Sequence, residues 1–147
     1  MRYLLDTNII SVIAPARQRS EADEKLADWI AGQETGLFLS VVTASEIEDG
    51  IAKARRVGAT RKALQLTEWW GEILHYYGGR ILPVDLEVAR LAGQLMDRAR
   101  AAGIDPGYED VAIAATGLVH SLTVVTRNFR DFRPLGAKVI DPHELPT

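Results

Sequence analysis

The sequence predicts an α/β domain built on a mainly parallel sheet, and two observations lead to that class. Short apolar runs typical of buried strands alternate along the chain with longer stretches whose apolar residues recur at helical spacing. Glycine, proline or a residue that can cap a helix marks most of the transitions. Strands separated by helices usually pair in parallel, and the helices then cover the sheet. The length of 147 residues fits one domain, residues 1–147.

Five short apolar runs predict the strands of the sheet. Each is rich in Leu, Ile or Val and is bounded by polar or turn residues, a pattern that suits a strand buried on both faces. In chain order these runs are residues 2–5, 37–42, 80–84, 123–126 and 138–140. Because such sheets bind ligands beyond the carboxyl ends of their strands, polar residues that follow a strand are the first candidates for a site.

Six stretches predict helices, because their apolar residues recur three and four positions apart. Side chains that can accept hydrogen bonds from free backbone amides mark five of the starts. These capping residues are Asp6, Ser20, Thr43, Thr60 and Asp85. In chain order the predicted helices cover about residues 9–13, 20–32, 43–57, 60–77, 85–103 and 108–120.

Composition limits the chemistry that the chain can use. The absence of cysteine excludes disulfides, thiolate metal sites and cysteine nucleophiles. The formal net charge is -3, so a polyanion must meet local positive patches. Asp6 and Asn8 interrupt the apolar N-terminal run, and Pro15 stands where a signal peptide would be cleaved, so we expect no export. No apolar run approaches the roughly 20 residues that span a bilayer. We therefore expect a cytoplasmic protein with no membrane association.

Three acidic residues far apart in the sequence are the candidate catalytic residues and metal ligands. Asp6 directly follows the first strand, Glu46 lies in the helix after the second strand, and Asp110 precedes the apolar residues 111–115. Each has a simpler role open to it. Asp6 can cap a helix, and Asp110 can stabilise a helix N-terminus. Glu46 can complete a capping box that Thr43 begins.

A divalent cation explains the three acids jointly better than three separate caps do. Two carboxylates about 4 Å apart repel each other by about 4 kcal/mol at an effective dielectric of 20. A hard cation such as Mg²⁺ takes oxygen ligands and makes the same cluster favourable. It can also activate a water for attack on a phosphodiester and stabilise the leaving oxygen. The three acids therefore indicate a functional metal site, even though each also stands near the start of a helix.

Four motifs, in this order along the chain, resemble those of PIN domains. They are residues 4–8 (LLDTN), 45–47 (SEI) with Gly50, 110–116 (DVAIAAT) and 126–132 (TRNFRDF). The likeness runs from residue 3 to about residue 142. Within the family the chain most resembles the VapC-type toxins of bacterial type II toxin–antitoxin modules, in the FitB-like branch, to which residues 79–83 (GRILP) are also similar.

This resemblance implies a fold, an activity and partners. The fold is a PIN-like three-layer α/β/α arrangement with a mainly parallel central sheet of four to five short strands. The activity is that of a Mg²⁺- or Mn²⁺-dependent endoribonuclease, which hydrolyses RNA phosphodiesters with a metal-activated water. Asp6, Glu46 and Asp110 match the acidic positions of the family. The implied partners are an RNA substrate, a second copy in a homodimer, and a VapB- or FitA-like antitoxin that blocks the site. Operator DNA is contacted only through the antitoxin.

One position departs from the family pattern. Many members carry a fourth acid two residues after the threonine that ends a strand, here Thr126, whereas this chain has Asn128 there. Asn128 can orient a water but brings no charge. Asp131, three residues further on, can compensate. Whether one or two metal ions act therefore stays open.

Hydroxyl and amide side chains near the acids are candidates for a supporting role. Thr7 and Thr126 can hold the carboxylates or bound waters in place, and so can Thr43 and Asn8. Helix capping is an equally good explanation for Thr7 and Thr43. For Thr126, which ends a predicted strand, support of the site is the better explanation.

Basic side chains are the candidates for RNA contact. Arg127 and Arg130 adjoin Asn128, so contact with RNA and a solvated surface role are about equally open to them. A solvated surface is the better explanation for a second group. Its members are Lys53, Arg55, Arg56, Arg61 and Lys62, and the loop after the first helix adds Arg17 and Arg19.

Two other functions stay open. An Asp after a first strand also suits a Mg²⁺-dependent phosphatase or phosphoacceptor domain, although no second Asp stands two residues after Asp6. A non-catalytic PIN-like binding protein would keep the fold without the chemistry. Asn128 is the one feature that favours this last alternative, and the other three acids argue against it.

Overall fold

A five-stranded parallel sheet forms the middle layer of the structure. The computed structural model describes residues 1–15 and 18–146. The strands are β1 (Tyr3–Leu5), β2 (Leu37–Ser40), β3 (Ile81–Leu82), β4 (Thr123–Val125) and β5 (Val139–Ile140). Their order across the sheet is β3-β2-β1-β4-β5, and every neighbouring pair is parallel. The central strand is therefore β1, and the chain leaves its carboxyl end in the middle of one sheet edge.

Helices fill most of the chain between the strands. They are α1 (Thr7–Ile10), α2 (Glu21–Ala31), α3 (Val41–Arg56), α4 (Thr60–Tyr77), α5 (Leu86–Ala101), α6 (Tyr108–Val119) and α7 (Phe129–Phe132). Short 3-10 segments cover Ser11–Ile13, Gly78–Arg80, Arg133–Leu135 and Pro142–Glu144. In the part of the chain that the structure describes, no helix combines the length and the apolar character needed to cross a membrane.

Two apolar cores, one on each face of the sheet, produce three layers. In β1, Tyr3 and Leu5 join the core that α1 to α4 cover, whereas Leu4 joins the core that α5 to α7 cover. This alternation follows from the geometry of a strand, whose successive side chains point to opposite faces. In α6, residues 111–117 are all buried. The predicted fold class, a three-layer α/β/α arrangement with a parallel central sheet, is confirmed.

The start of α3 differs from the prediction. Ser40 caps this helix, because its hydroxyl accepts a hydrogen bond from the backbone amide of Val42 at 3.0 Å. Strand β2 consequently ends at Ser40, and Thr43 lies inside the first turn of α3, where it is fully buried. The predicted capping box of Thr43 and Glu46 is therefore wrong, and Glu46 is not committed to a cap.

The other predicted caps are confirmed at three helices, including Asp6 at α1, and wrong at one. Ser20 forms a capping box with Asp23 at the start of α2, and Asp85 caps α5. Thr60 is the first residue of α4 and does not cap it; the cap position is Ala59, which makes no side-chain hydrogen bond. Local sequence patterns thus located the six predicted helices, misplaced some of their ends by one to three residues, and missed the short helix α7.

Arg80 fastens the end of α4 to the sheet. Its guanidinium donates hydrogen bonds to the carbonyl oxygens of Leu37 at 3.0 Å and Tyr76 at 3.1 Å. It also lies over the rings of Tyr76 and Tyr77, 5.1 and 4.9 Å from their centroids. These contacts use the planar, forked shape of a guanidinium, which an ammonium group lacks. Because Arg80 belongs to the segment Gly78–Arg80, β3 begins one residue later than predicted.

We expect Arg80→Lys to lower the free energy of unfolding by about 1–2 kcal/mol, because a hydrogen bond and the ring contacts are lost while the charge stays. Urea denaturation followed by circular dichroism measures the change. The matched control is Arg90→Lys, at an exposed position of α5. It should stay within about 0.5 kcal/mol of the wild type. Equal stability of the two variants would contradict the anchoring role of Arg80.

Candidate functional site

Polar residues that follow three neighbouring strands meet at one edge of the sheet. Asp6 follows β1, Thr126 follows β4, and Thr43 lies in the first turn of α3 after β2. Asp6 is 4% exposed, and the two threonines are fully buried. Polar side chains buried in this way need hydrogen-bond partners. Asp6 and Thr126 bond to each other, and both Asp6 and Thr43 bond to Thr7.

The Asp6 carboxylate is held from two directions. Its Oδ1 accepts a hydrogen bond from the backbone amide of Thr7 at 2.8 Å, which makes Asp6 the N-cap of α1. Its Oδ2 accepts a hydrogen bond from the hydroxyl of Thr126 at 2.7 Å. The Thr126 hydroxyl in turn accepts a hydrogen bond from the backbone amide of Asn128 at 2.9 Å. Capping explains the first of these contacts only, so Asp6 both caps α1 and belongs to a network that crosses the sheet.

Two threonine hydroxyls lead to the Glu46 carboxylate. Thr7 donates to Glu46 Oε1 at 2.7 Å, and the hydroxyl oxygens of Thr7 and Thr43 lie 2.9 Å apart. A hydroxyl has one proton, and Thr7 gives its proton to Glu46, so Thr43 is the donor to Thr7. The Glu46 carboxylate, as the acceptor at the end, thereby sets the direction of this chain of hydrogen bonds. Thr7 and Thr43, for which capping was an equal alternative, both support the acidic group.

Asp110 stands in the first turn of α6, directly before the fully buried part of that helix. Its side chain is partly buried. Burial is the largest cause that raises its pKa, followed by repulsion from Asp6, Asp131, Glu46 and Glu109, and together they bring the pKa to about 6. The carboxylate of Asp110 therefore shares one electrostatic environment with the two other acids that the sequence singled out.

The pKa values of Asp6 and Glu46 are raised as well. For Asp6 the cause is burial, which the hydrogen bonds from Thr126 and Thr7 oppose. For Glu46, the most open of the three acids, the largest cause is loss of solvation, and repulsion from Asp6 and Glu109 adds to it. The hydrogen bond from Thr7 opposes both. Three carboxyl groups whose charged forms are all disfavoured thus occupy one edge of the sheet.

Two further acids contribute to this edge. Glu109, directly before Asp110 in α6, adds negative charge here, because its carboxylate raises the pKa values of both Glu46 and Asp110. The sequence signal that could have found Glu109 is the pair of consecutive acids at a helix start. Asp131, proposed to compensate for Asn128, lies in α7 and also raises the pKa of Asp110. The Asn128 side chain, which is exposed, adds no charge.

The donor set suits a hard cation of the Mg²⁺ or Mn²⁺ kind. All candidate ligands are carboxylate oxygens, and a nearby positive charge would favour each of the disfavoured charged forms. Among residues 1–15 and 18–146, however, no three His, Cys, Asp or Glu side chains are gathered closely enough to enclose a metal ion by themselves. Mg²⁺ usually keeps several waters and binds through one or two carboxylates, so the arrangement fits such an ion.

Arg127, a candidate for RNA contact, is engaged elsewhere. Its guanidinium forms an ion pair with the buried carboxylate of Asp23 in α2, and its backbone amide donates to the Asn8 side chain at 3.4 Å. This pairing fixes the loop after β4. It therefore disfavours the contact between Arg127 and RNA that the sequence left open. Arg130 is exposed beside the ring of Phe129. Arg17 lies outside the described residues.

The fold and the site together define the class of protein: a three-layer α/β protein with carboxylates gathered beyond the carboxyl ends of a parallel sheet. A family model described as PIN domain matches residues 3–137. The chain belongs to the PIN-domain family. The resemblance that the four sequence motifs suggested is therefore confirmed.

Relatives and solved structures agree with this assignment. The chain is 37% identical over 143 residues to VapC ribonuclease Y4jK of Sinorhizobium fredii, covering 96% of this chain and 97% of the relative. It is 32% identical over 140 residues to Toxin FitB of Neisseria gonorrhoeae, with 95% and 96% covered. A solved structure of FitAB bound to an IR36 DNA fragment is similar with a TM-score of 0.82 and 32% identity, covering 99% of this chain and 98% of the compared chain.

We expect Asp110→Asn to stabilise the metal-free protein at pH 7.5. The pKa of Asp110 is about 6 in the folded chain against 3.8 for an ordinary aspartate. The folded state therefore binds more protons between these values, and ionisation of Asp110 lowers stability as the pH rises. Because the side chain is partly exposed, solvent screening reduces the gain to about 1 kcal/mol. Urea denaturation in EDTA should show this gain at pH 7.5 and its decrease towards zero near pH 4.

Asp97→Asn, at an exposed acid of α5, is the control and should show no such pH-dependent gain. An Asp110→Asn variant that is less stable than the wild type at both pH values would show that the Asp110 charge is not repelled in the folded chain.

Proposed function

We propose that this chain is a metal-dependent endoribonuclease that hydrolyses RNA phosphodiester bonds, with Asp6, Glu46 and Asp110 as its catalytic residues. The observation that carries the proposal is their shared edge of the sheet, where burial raises the pKa values of all three and repulsion from neighbouring acids raises those of Glu46 and Asp110 further. The similarity to a protein named as a VapC ribonuclease supports RNA as the substrate. We take residues 1–147 as one PIN-like domain.

Asp6 and Asp110 are the proposed principal metal ligands, with Glu46 as a third ligand or as the group that positions the attacking water. A bound Mg²⁺ or Mn²⁺ supplies positive charge that neutralises the acids, lowers the pKa of a coordinated water and stabilises charge on the phosphate. Thr7 and Thr126 keep both Asp6 oxygens oriented, as residues behind metal ligands commonly do. Asp131 adds a charge near Asp110 that Asn128 does not provide.

Glu46 is the proposed acceptor of the proton that the attacking water loses. The hydroxyl of Thr7 occupies Oε1 and thereby orients the carboxylate, which leaves Oε2 to accept the proton. Its raised pKa makes Glu46 a better base than an ordinary glutamate near neutral pH. The water oxygen bonds to phosphorus as its proton passes to Glu46, and the bond between phosphorus and the leaving oxygen breaks. The leaving oxygen then takes a proton from solvent.

We expect the purified chain to cleave RNA with Mg²⁺ or Mn²⁺ and to stop when EDTA is added. Asp6→Asn, Glu46→Gln and Asp110→Asn should each lower the cleavage rate roughly 10²- to 10⁴-fold, because each removes a metal ligand or the base. A gel assay on a labelled RNA with single-stranded and paired regions measures the rates. Glu48→Gln is the control, because Glu48 is exposed on α3 and points about 200° away from Glu46.

Thermal melting by circular dichroism separates loss of chemistry from loss of fold in these variants. Normal melting of Asp6→Asn together with unchanged cleavage would contradict the proposed site. Cleavage by the wild type that persists in EDTA would contradict the metal requirement and leave the site to be explained in another way.

We further propose that the chain is the toxin of a type II toxin–antitoxin module and acts in the cytoplasm as a homodimer. The relative named Toxin FitB and the FitAB structure with DNA support a FitA- or VapB-like antitoxin as partner, which would contact operator DNA on behalf of the pair. The chain also exposes large apolar side chains that a partner could cover. On α4 these are Leu64, Leu74 and Tyr76.

Expression of the chain alone in a bacterial host should arrest growth, and co-expression of the small reading frame beside its gene should restore growth. The arrest depends on RNA cleavage, so Asp6→Asn should abolish it, whereas Glu48→Gln should not. Colony counts after induction measure both effects. Arrest by Asp6→Asn at equal protein level would indicate toxicity that is unrelated to the proposed chemistry.

A further inference from the structure

The end of α3 and the start of α4 carry a concentration of positive charge that the acidic site does not explain. Residues 50–67 contain five of the 17 Lys and Arg residues of the chain and none of its 20 Asp and Glu residues. Four of these cations form one exposed group. We call them the basic surface: Lys53, Arg56, Arg61 and Lys62.

No ion pair within the protein accounts for the basic surface. In the described parts of the chain, the two ion pairs are Arg19 with Glu24 and Arg127 with Asp23. The fifth cation of the stretch, Arg55, differs because it donates a hydrogen bond to Thr67 on α4. The four members of the basic surface are thus free to meet an external anion.

Helix stability accounts for only two of the four cations of the basic surface. Lys53 and Arg56 lie in the last turn of α3, where the helix dipole favours cations. Arg61 and Lys62 lie in the first turn of α4, where the dipole disfavours cations and where no acid compensates. Two adjacent cations in an unfavourable position indicate a role in binding rather than in folding.

The basic surface is joined rigidly to the candidate site through α3. Lys53 follows Glu46 by seven residues, so the two lie on the same side of the helix and about 10 Å apart along its axis. Gly50 lies between them on that side, is exposed, and has no atom within 4 Å of the position that a side chain would take. The surface of α3 between the acid at the site and the first cation of the basic surface is therefore sterically open at Gly50.

We propose that the basic surface binds the phosphates of a single RNA strand next to the bond that is cleaved. This inference rests on the proposed function, whose site it extends. Nucleotides stacked as in a duplex advance about 3.4 Å each along a strand, so the roughly 15 Å from Glu46 to Arg56 corresponds to about four nucleotides. The surface therefore acts on long RNA and not on a dinucleotide.

Binding of a labelled single-stranded 12-nucleotide RNA, followed by fluorescence anisotropy in EDTA from 50 to 300 mM salt, tests the proposal without cleavage. The slope of log affinity against log salt is negative, and each lost phosphate contact on a single strand reduces its magnitude by about 0.7. Arg61→Gln with Lys62→Gln should therefore reduce this magnitude by about 1.4 and weaken binding roughly 25-fold at 0.1 M salt. Lys53→Gln with Arg56→Gln should have a similar effect.

The charge-matched control is Arg2→Gln with Lys138→Gln. These exposed residues precede β1 and β5, so they lie at the opposite edge of the sheet from Asp6. The control should keep the wild-type slope. Thermal melting should show the Arg61 and Lys62 variant to be at least as stable as the wild type, because two cations leave a helix N-terminus.

Kinetics separate this inference from the nuclease proposal. With Mn²⁺, the two basic-surface variants should raise KM for the 12-nucleotide RNA and leave kcat/KM for a dinucleotide unchanged. An unchanged salt slope, or one equal to that of the control, overturns the basic surface even if the wild type cleaves RNA. If the basic-surface variants bind an acidic peptide more weakly but bind RNA as well as the wild type does, the surface recognises a protein and the proposal is overturned as well. Weaker RNA binding with no cleavage by the wild type would support the surface and refute the nuclease.

Discussion

The arrangement of the site depends on the hydroxyl of Thr126. This hydroxyl donates to Asp6 Oδ2 and accepts the backbone amide of Asn128, so it joins the chain that follows β4 to the carboxylate that follows β1. An ionised carboxylate that is almost fully buried costs several kcal/mol unless hydrogen bonds compensate. With Thr7 bound to Oδ1, each oxygen of Asp6 has a donor. These two hydrogen bonds therefore hold Asp6 in position close to the other acids.

Apolar packing, rather than attraction among the acids, places Asp110 at this edge. Residues 111–117 of α6 are buried, and Gly117 allows the helix to approach β4 closely. A Cβ added at Gly117 would lie 3.0 Å from a methyl carbon of Val124 and 3.4 Å from the carbonyl oxygen of Leu122. The helix is thus held against the sheet at its end, and its first turn carries Asp110 towards like charges. Free energy from the core offsets the repulsion that the raised pKa of Asp110 reflects.

The residues of the site that follow a strand or open a buried helix were predictable from sequence, because local patterns locate those points. Interactions between distant segments were not. Ser40 and Thr43 both offer a hydroxyl near the start of α3, and only tertiary burial makes Ser40 the cap and Thr43 the donor to Thr7. Arg127 looked free because its partner, Asp23, is 104 residues away in sequence. The contribution of Glu109 was also missed, since charges interact over distances longer than one side chain.

The separation of charge on this surface reconciles a net charge of -3 with the polyanionic substrate that we propose. The acidic edge repels phosphates wherever no cation neutralises it. In water, two unit charges 10 Å apart interact by about 0.4 kcal/mol before screening, and the Debye length at 0.1 M salt is itself about 10 Å. A basic surface that begins about 10 Å from Glu46 is therefore far enough not to neutralise the acids. It is near enough to hold the strand on which they would act. Affinity for the backbone and chemistry at the phosphorus can then depend on different residues of the same helix.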